Sequence, residues 1–155
     1  MAPKKIVIVL PKLTPGGTER TAVVLANYMV VNCIDVTVLV MFKRDKFYEL
    51  HPKVKLIEPD NFRDTYGKIL SFPILLWYLR KNIKKEKPDT VFCLGYILLG
   101  MITSVGLKTK VIISGRSSPD RVRFPGNKLF NGFYNLCYTV LKFRINGIIA
   151  QTNYA

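Results

Sequence analysis

Residues 5–31 decide the fold, and they read KIVIVLPKLTPGGTERTAVVLANYMVV. The run that follows Lys5 is continuously apolar and predicts a buried strand, whereas residues 21–31 have the amphipathic pattern of a helix. Gly16 and Gly17 lie at the turn between the two. Glycine lets a ligand approach the backbone without meeting a Cβ, and the free amides at a helix start attract anions. We therefore expect a ligand-facing loop here, and a tight turn without a ligand is the alternative.

The rest of the chain repeats this alternation of short apolar runs and longer helical patterns. Strands are predicted at residues 5–10, 36–41, 54–58, 90–94, 111–114 and 147–150. Helices are predicted at residues 18–32, 64–87, 96–106 and 127–143. Strands rich in Val and Ile that alternate with helices are typical of a parallel sheet buried on both faces. The predicted fold is α/β, a Rossmann-like parallel sheet of about six strands with helices on both faces, formed by residues 1–155 as a single domain.

Three loops that follow predicted strands are the candidate binding segments. Ligands of an open parallel sheet bind outside the carboxyl ends of its strands, so loops 16–20, 95–96 and 115–123 should converge on one edge. In the first loop, Thr18 is expected to cap the following helix and to join the two glycines in binding substrate. In the second loop, Tyr96 is the candidate substrate-binding residue.

The third loop is dense in arginine. Arg116 follows a predicted buried strand, and Arg121 and Arg123 come soon after it. The guanidinium is a planar, permanently charged group that suits phosphate or carboxylate. Arg116 is therefore a candidate substrate-binding residue, and a basic surface loop without a ligand is the alternative.

The charge of the chain is its unusual bulk property. The formal net charge is +14, which predicts attraction to phosphates, nucleic acid or acidic lipids. The three cysteines are widely spaced, so we expect buried thiols in a reducing compartment and neither disulfides nor a zinc site. The uncharged stretch 91–107 is seventeen residues long and holds three glycines. A buried strand followed by a buried helix is expected there, not a membrane span, and no secretory signal is predicted.

Residues 66–87 combine an apolar, aromatic block with a basic cluster. The residues expected to bind a membrane are Trp77, Arg80, Lys81, Lys84 and Lys85. Aromatic rings lie at the headgroup level of a bilayer and lysines bind anionic lipid, so the segment suits an interfacial helix. A core-packing helix with a solvated cationic end has the same pattern, but the net charge favours the membrane. Pro73 is expected to kink the segment or to start its helix.

Several other classes of protein are disfavoured by missing motifs. The sole histidine, His51, has no partner in the sequence pattern that would make it a general base, and a surface histidine is expected. The chain lacks a metal-ligand cluster, a P-loop, a nucleophile elbow and the glycine spacing of dinucleotide-binding proteins. It also lacks a recognised nucleic-acid reader motif. We therefore predict no metal, no cofactor and no specific nucleic-acid partner, and a Rossmann-like nucleotide- or anion-binding domain without catalysis is the alternative function.

Three stretches of the chain resemble the GT-B glycosyltransferases, specifically the retaining enzymes of family 4. Residues 15–40 resemble the family's first loop, Gly-Gly-x-Glu-Arg, with the helix and strand that follow it. Residues 111–119 are similar to its Ser-x-Arg-x-x-Pro segment, and residues 147–152 resemble the strand that closes its N-terminal domain. Asp35 departs from the histidine or glutamate that often precedes the second strand. Residues 93–96 lack the histidine that some relatives place after the fourth strand, so no catalytic side chain is transferred.

The resemblance implies an acceptor-side domain of a two-domain sugar transferase. Its nucleotide-sugar donor would bind in a second domain, and residues 1–155 alone are expected to be inactive. The acceptor would be a glycan, or a glycan linked to an anionic lipid, as in bacterial surface-polysaccharide assembly. The expected location is the cytoplasm, peripheral to the inner face of the plasma membrane.

Overall fold

The computed structural model describes residues 4–60, 62–115 and 128–150, and its centre is a six-stranded, all-parallel sheet. The strands are β1 (Lys5–Leu10), β2 (Asp35–Val40), β3 (Lys55–Ile57), β4 (Thr90–Leu94), β5 (Lys110–Gly115) and β6 (Ile145–Ala150). Their order in the sheet is β3-β2-β1-β4-β5-β6. This is the strand order of a doubly wound Rossmann sheet, whose direction of winding reverses between β1 and β4. The predicted fold class is confirmed.

Four helices connect these strands. They are α1 (Gly17–Val31), α2 (Phe62–Glu86), α3 (Ile97–Ser104) and α4 (Lys128–Leu141), and a 3-10 turn, Lys142–Arg144, follows α4. Because side chains alternate along a strand, Ile8 and Leu10 face α1, while Val7 and Val9 face α2 and α3. All four of these strand side chains are fully buried. The sheet therefore has an apolar core on each face, as its near-continuous Val and Ile content predicts.

The stretch 91–107 forms most of β4 and then α3, as expected from its length and its glycines. Gly100 lets α3 approach β4 closely, because a Cβ there would collide with the sulfur of Cys93. Within residues 4–60, 62–115 and 128–150, no helix combines the length and the apolar character needed to cross a bilayer.

Two arginines hold the carboxyl end of α3. The Arg80 guanidinium donates to the carbonyls of Thr103 and Val105, at 3.1 and 2.8 Å. Arg144 Nη2 donates to the carbonyls of Ser104, Leu107 and Thr109, at 2.9 to 3.2 Å. Cations are favourable at this end of a helix because its last carbonyls carry a partial negative charge. The helices α2, α3 and α4 consequently pack side by side in that order.

An ion-pair cluster lies at the amino edge of the sheet. Glu86, buried at the end of α2, accepts from Lys5 Nζ at 2.8 Å and from Lys55 Nζ at 2.6 Å. Burial alone would raise the pKa of Glu86, but the two lysine hydrogen bonds outweigh it, so the pKa lies below its ordinary value. The hydrogen bond to Glu86 raises the pKa of Lys5. This cluster joins the first residues of β1 and β3 to the end of α2.

Two local predictions are wrong. The break in α2 lies at Gly67, whose φ is 70°, and Pro73 lies inside the helix. Glycine takes this left-handed conformation without a Cβ clash, so the chain bends there. Burial of the thiols was predicted too broadly: Cys93 is fully buried, but Cys33 is exposed and Cys137 is half-buried. Cys33 sits just beyond α1 with a φ of 61°, in the turn that leads to β2.

Candidate functional site

The loop that follows β1 is held in place by the loop that follows β2. The amide of Phe42 donates to the carbonyl of Pro11 at 2.9 Å, and the amide of Phe47 donates to the carbonyl of Leu13 at 3.0 Å. Leu13 itself is buried in the core on the α1 face. The segment that carries the two glycines is therefore anchored at the carboxyl edge of the sheet.

The loops after β1 and β4 touch at this edge. Gly95 follows β4 with a φ of 89°, and a Cβ placed on it would lie 3.4 Å from Pro11 Cγ. A residue other than glycine would be strained there by its backbone and pressed against the proline ring. The two loops meet where the winding of the sheet reverses, which is where open α/β sheets bind their ligands.

Tyr96 continues this loop in a left-handed conformation. Its φ and ψ are 44° and 45°, and it is the residue that precedes α3. A side chain in this conformation costs about 1–2 kcal/mol relative to the right-handed region. The Tyr96 carbonyl accepts the Leu99 amide at 2.9 Å, and its side chain is about half exposed. Tyr96 is thus a partly exposed aromatic residue in an unfavourable backbone conformation, directly after the Gly95 contact between the two loops.

Gly16 is fixed by a tyrosine that sequence reasoning missed. The Tyr48 hydroxyl donates to the Gly16 carbonyl at 3.1 Å and accepts from the Gly16 amide at 3.3 Å. Tyr48 lies 32 residues further along the chain, in the loop after β2, and no local motif pairs it with the glycine. This phenol therefore clamps the glycine segment from the neighbouring loop.

The predicted helix cap at Thr18 is wrong. The helix α1 begins at Gly17, its N-cap residue is Gly16, and no side chain caps it. Thr18 lies inside the first turn, two residues after the N-cap position from which a side chain accepts from the free amides. It remains half-exposed next to the glycines, and its substrate-binding role remains a prediction.

Glu19 covers the start of α1. Its side chain is buried, and its carboxylate folds back so closely that a Cβ on Gly16 would collide with Oε2. The partial positive charge of a helix start stabilises such a carboxylate. By contrast, the space beside Gly17 is open with respect to the described residues, since a Cβ there would meet none of them within 4 Å. The negative charge of Glu19 therefore already lies at the start of α1, and the backbone is open to a ligand at Gly17.

Thr14 adds a second polar group that sequence reasoning missed. Its Oγ1 is buried and has no hydrogen-bond partner among the described residues. A buried hydroxyl without a partner is unfavourable. Thr37 Oγ1 within β2 and Arg144 Nε are in the same state, so this feature alone does not mark a binding site. The only sequence signal was a hydroxyl residue directly before Pro15 and the glycine pair.

The third predicted loop lies almost entirely outside the described residues. β5 ends at Gly115, at the same edge as the other two loops. Arg116, Arg121 and Arg123 lie outside the described residues, and the role of Arg116 in substrate binding stays a prediction.

The segment predicted to bind a membrane exposes one side of α2. We define the α2 face as Trp77, Lys81, Lys84 and Lys85, all of which are exposed. The Lys81 ammonium lies 4.5 Å from the centroid of the Trp77 ring, within range of a cation–π contact. Arg80 is also exposed, but its guanidinium holds the end of α3 and so has a structural role in addition to the predicted one.

His51 takes part in a local turn and not in the crevice. Its Nδ1 accepts the Lys53 amide at 3.2 Å, and its own amide donates to Asn27 Oδ1 at 2.8 Å. It is half-buried in the connection before β3. Elsewhere in the described parts of the chain, no three His, Cys, Asp or Glu residues are grouped so that they could hold a metal ion.

Comparison with known proteins gives one informative match, while no family model matches the sequence. Over 118 residues the chain is 35% identical to a protein of Campylobacter jejuni subsp. jejuni serotype O:2. That protein is named as a GalNAc-α-(1→4)-GalNAc-α-(1→3)-diNAcBac-PP-undecaprenol α-1,4-N-acetyl-D-galactosaminyltransferase. The match covers 74% of this chain and 33% of the Campylobacter protein, so the chain spans about a third of that relative's length. The similarity supports a glycosyltransferase at this coarse level.

Proposed function

We propose that this chain is the acceptor-binding, Rossmann-like domain of a retaining GT-B glycosyltransferase of family 4. In this proposal the complete enzyme transfers a hexosyl or hexosaminyl group from a nucleotide sugar to a lipid-linked glycan. The observation that carries the proposal is the contact between the glycine-bearing loop after β1 and the Gly95 loop after β4, at the reversal of the sheet. The sequence resemblance and the similarity to a transferase of undecaprenol-linked glycans both support it.

The chemistry of the crevice favours a sugar acceptor over a diphosphate beside α1. A diphosphate would meet the carboxylate of Glu19 at the helix start, and like charges repel there. Sugar hydroxyls instead match the groups beside the two loops: the Glu19 carboxylate accepts hydrogen bonds, and the partly exposed Tyr96 carries a hydroxyl group. The open approach at Gly17 leaves room for a ring close to the backbone.

The donor is proposed to bind in a second domain, as in the enzymes that this sequence resembles. Residues 1–155 expressed alone should then show no appreciable turnover with a nucleotide sugar and an acceptor. Robust transfer by these residues alone would contradict the division of donor and acceptor sites.

The acceptor site is tested by filling the approach at Gly17 in the complete enzyme. A Cβ at Gly17 would meet nothing within 4 Å among the described residues, so Gly17→Ala should fold, and Gly17→Leu extends a larger side chain into the same opening. We expect the KM for the acceptor to rise from wild type to Ala to Leu, while the KM for the nucleotide sugar changes little. An unchanged acceptor KM in a folded Gly17→Leu protein, or a rise for the donor alone, would reject acceptor binding at this loop.

Peripheral association with the inner face of the plasma membrane is the second part of the proposal. It is supported by the net charge of +14 and by the exposed ring and lysines of the α2 face. An enzyme on the bilayer surface would meet a lipid-linked acceptor directly.

Vesicle cosedimentation tests this association. Wild type should bind phosphatidylglycerol-containing vesicles more strongly than phosphatidylcholine vesicles at low salt, because anionic lipid attracts the lysines. Replacing the three lysines of the α2 face with Gln should weaken binding more than the charge-matched control Lys12→Gln, Lys43→Gln and Lys53→Gln, which also changes exposed lysines. Equal binding to both kinds of vesicle would remove the electrostatic basis of the proposal.

A further inference from the structure

An apolar stripe runs along the outer side of α4. Leu129, Phe133, Leu136 and Val140 follow one another at spacings of four, three and four residues, which places them on one side of the helix. Their exposed fractions lie between 59% for Val140 and 82% for Leu129, and Phe143 in the next turn is 69% exposed. We call these five residues the α4 stripe. A continuous exposed row of large apolar side chains marks an interaction surface.

The charge around the α4 stripe is of one sign. The sequence from residue 90 to 150 contains eight lysines and arginines and a single acidic residue, Asp120, which lies outside the described residues. Neither α3 nor α4 contains an acidic residue, and the exposed Lys128 and Lys142 stand at the two ends of α4. An apolar strip flanked by cations complements a bilayer that carries anionic headgroups.

The position of α4 agrees with this occupant. α4 packs against α3, and α3 packs against α2, so the α4 stripe and the α2 face belong to one layer of helices. That layer covers the sheet face opposite α1, because the side chains of α2 and α3 share a core with Val7 and Val9. A membrane bound by the exposed ring and lysines of the α2 face would therefore lie on the same side of the molecule as the α4 stripe.

We propose that the α4 stripe inserts into the headgroup region of an anionic membrane, while the lysines of the α2 face contact lipid phosphates. The inference rests on the proposed function, because a lipid-linked acceptor places the enzyme at a bilayer. It adds an apolar anchor to the electrostatic attraction. Binding should consequently persist in part at salt concentrations that screen the lysines.

Depth-dependent quenching tests insertion directly in the complete protein. Trp77 is the only tryptophan of this chain, so a Trp77→Phe background allows a reporter to be placed at Phe133→Trp, with any tryptophans elsewhere in the protein also replaced. The matched control is Tyr28→Trp on α1, where the side chain is 67% exposed but lies on the opposite face of the sheet. Vesicles with brominated acyl chains should quench the reporter at position 133 and leave the reporter at 28 unchanged. Equal quenching of the two reporters, each measured relative to vesicles without bromine, would overturn the proposal.

A second pair of variants measures the contribution to binding. Phe133→Ser with Leu136→Ser should lower the partition coefficient onto phosphatidylglycerol vesicles roughly tenfold or more, since two large apolar groups are lost. Val24→Ser with Tyr28→Ser removes comparably exposed apolar groups from α1 and should leave it unchanged. If the α4 stripe instead binds a second copy, the first pair changes the mass in light scattering and not the vesicle binding. If it packs on another part of the same chain, the first pair lowers the melting temperature and not the vesicle binding. Either result overturns the membrane proposal.

Transfer to a water-soluble, short-chain acceptor separates this inference from the proposed function. Variants of the α4 stripe should keep wild-type transfer to that acceptor and lose transfer to an acceptor presented in vesicles. If wild type transfers no sugar to either acceptor, the proposed function fails, and the quenching result still decides whether the stripe inserts.

Discussion

Tyr48→Phe removes one hydroxyl and tests whether the clamp on Gly16 positions the crevice. The phenol touches both polar groups of the Gly16 backbone, at 3.1 Å from the carbonyl and 3.3 Å from the amide. The ring itself stays, including its edge-to-face contact with Phe47 at a centroid distance of 5.0 Å. The substitution therefore changes hydrogen bonding with little change in packing.

The size of the effect follows from these two distances. Both bonds are long, because O–H···O bonds rarely exceed about 3.0 Å and N–H···O bonds rarely exceed about 3.2 Å. Two weak hydrogen bonds together contribute about 0.5–1 kcal/mol to the free energy of unfolding. If that energy holds the glycine segment in its binding geometry, its loss lowers kcat/KM for the acceptor by roughly 2- to 5-fold.

Tyr78→Phe is the matched control. Its hydroxyl also donates to a backbone carbonyl, that of Ile57 at 3.3 Å, at the end of the outermost strand β3, which is separated from β1 by β2. Chemical denaturation and steady-state kinetics of the complete enzyme should show a stability loss in both variants and an activity loss in Tyr48→Phe only. If the two variants keep the same kcat/KM, Tyr48 serves stability alone and the proposed link between the clamp and the acceptor site is refuted.

Three further predictions concern the stability and reactivity of the domain. Gly132→Ala should stabilise α4 by roughly 0.5–1 kcal/mol because its added Cβ meets nothing, whereas Gly100→Ala should lower the melting temperature because its Cβ collides with Cys93. Glu86→Gln should cost about 1–3 kcal/mol at pH 7. Because the folded pKa of Glu86 lies below its unfolded value, the wild-type advantage should be present above about pH 4.5 and disappear as the pH falls through the folded pKa, as urea unfolding at several pH values will show. A thiol reagent should modify exposed Cys33 in the folded protein and reach Cys93 only on unfolding, because burial shields its thiol and raises its pKa to about 12; mass spectrometry of the labelled peptides will distinguish the two.

The fold could be predicted because the strands are formed by continuous apolar runs of the sequence. β1 and β4 have the predicted bounds. The observed bounds of the other four strands lie within two residues of the predicted ones. Such runs are typical wherever helices cover both faces of a parallel sheet. In the apolar stretch 91–107, length and glycine positions were also needed to separate β4 from α3. The order of the strands depends on which edges pair over long sequence distances, and the local pattern does not contain that information.

The candidate site could be predicted only where it is local in sequence. The location of Gly16, Gly17 and Tyr96 at the carboxyl edge could be predicted because each lies in the connection from a predicted strand to a predicted helix, while their role in binding stays a prediction. The hydrogen bonds between Tyr48 and Gly16 were missed because the two residues are 32 apart in the sequence. The close approach of the Glu19 carboxylate to Gly16 was missed because it depends on a side-chain conformation that the sequence pattern does not contain. The cap at Thr18 was misassigned because the helix begins one residue earlier than its pattern suggests.

The carboxyl edge of the sheet is favoured for binding by its position and not by strain alone. At the amino edge, an ion-pair cluster joins two strands to the end of α2. Cys33 and Lys87, shortly before β2 and β4, have left-handed backbone conformations just as Tyr96 does at the carboxyl edge. Buried polar atoms without a partner among the described residues likewise occur at Thr14 and at Arg144, so neither feature separates the two edges. What distinguishes the carboxyl edge is the contact of two loops where the winding of the sheet reverses, which is where open α/β sheets bind their ligands.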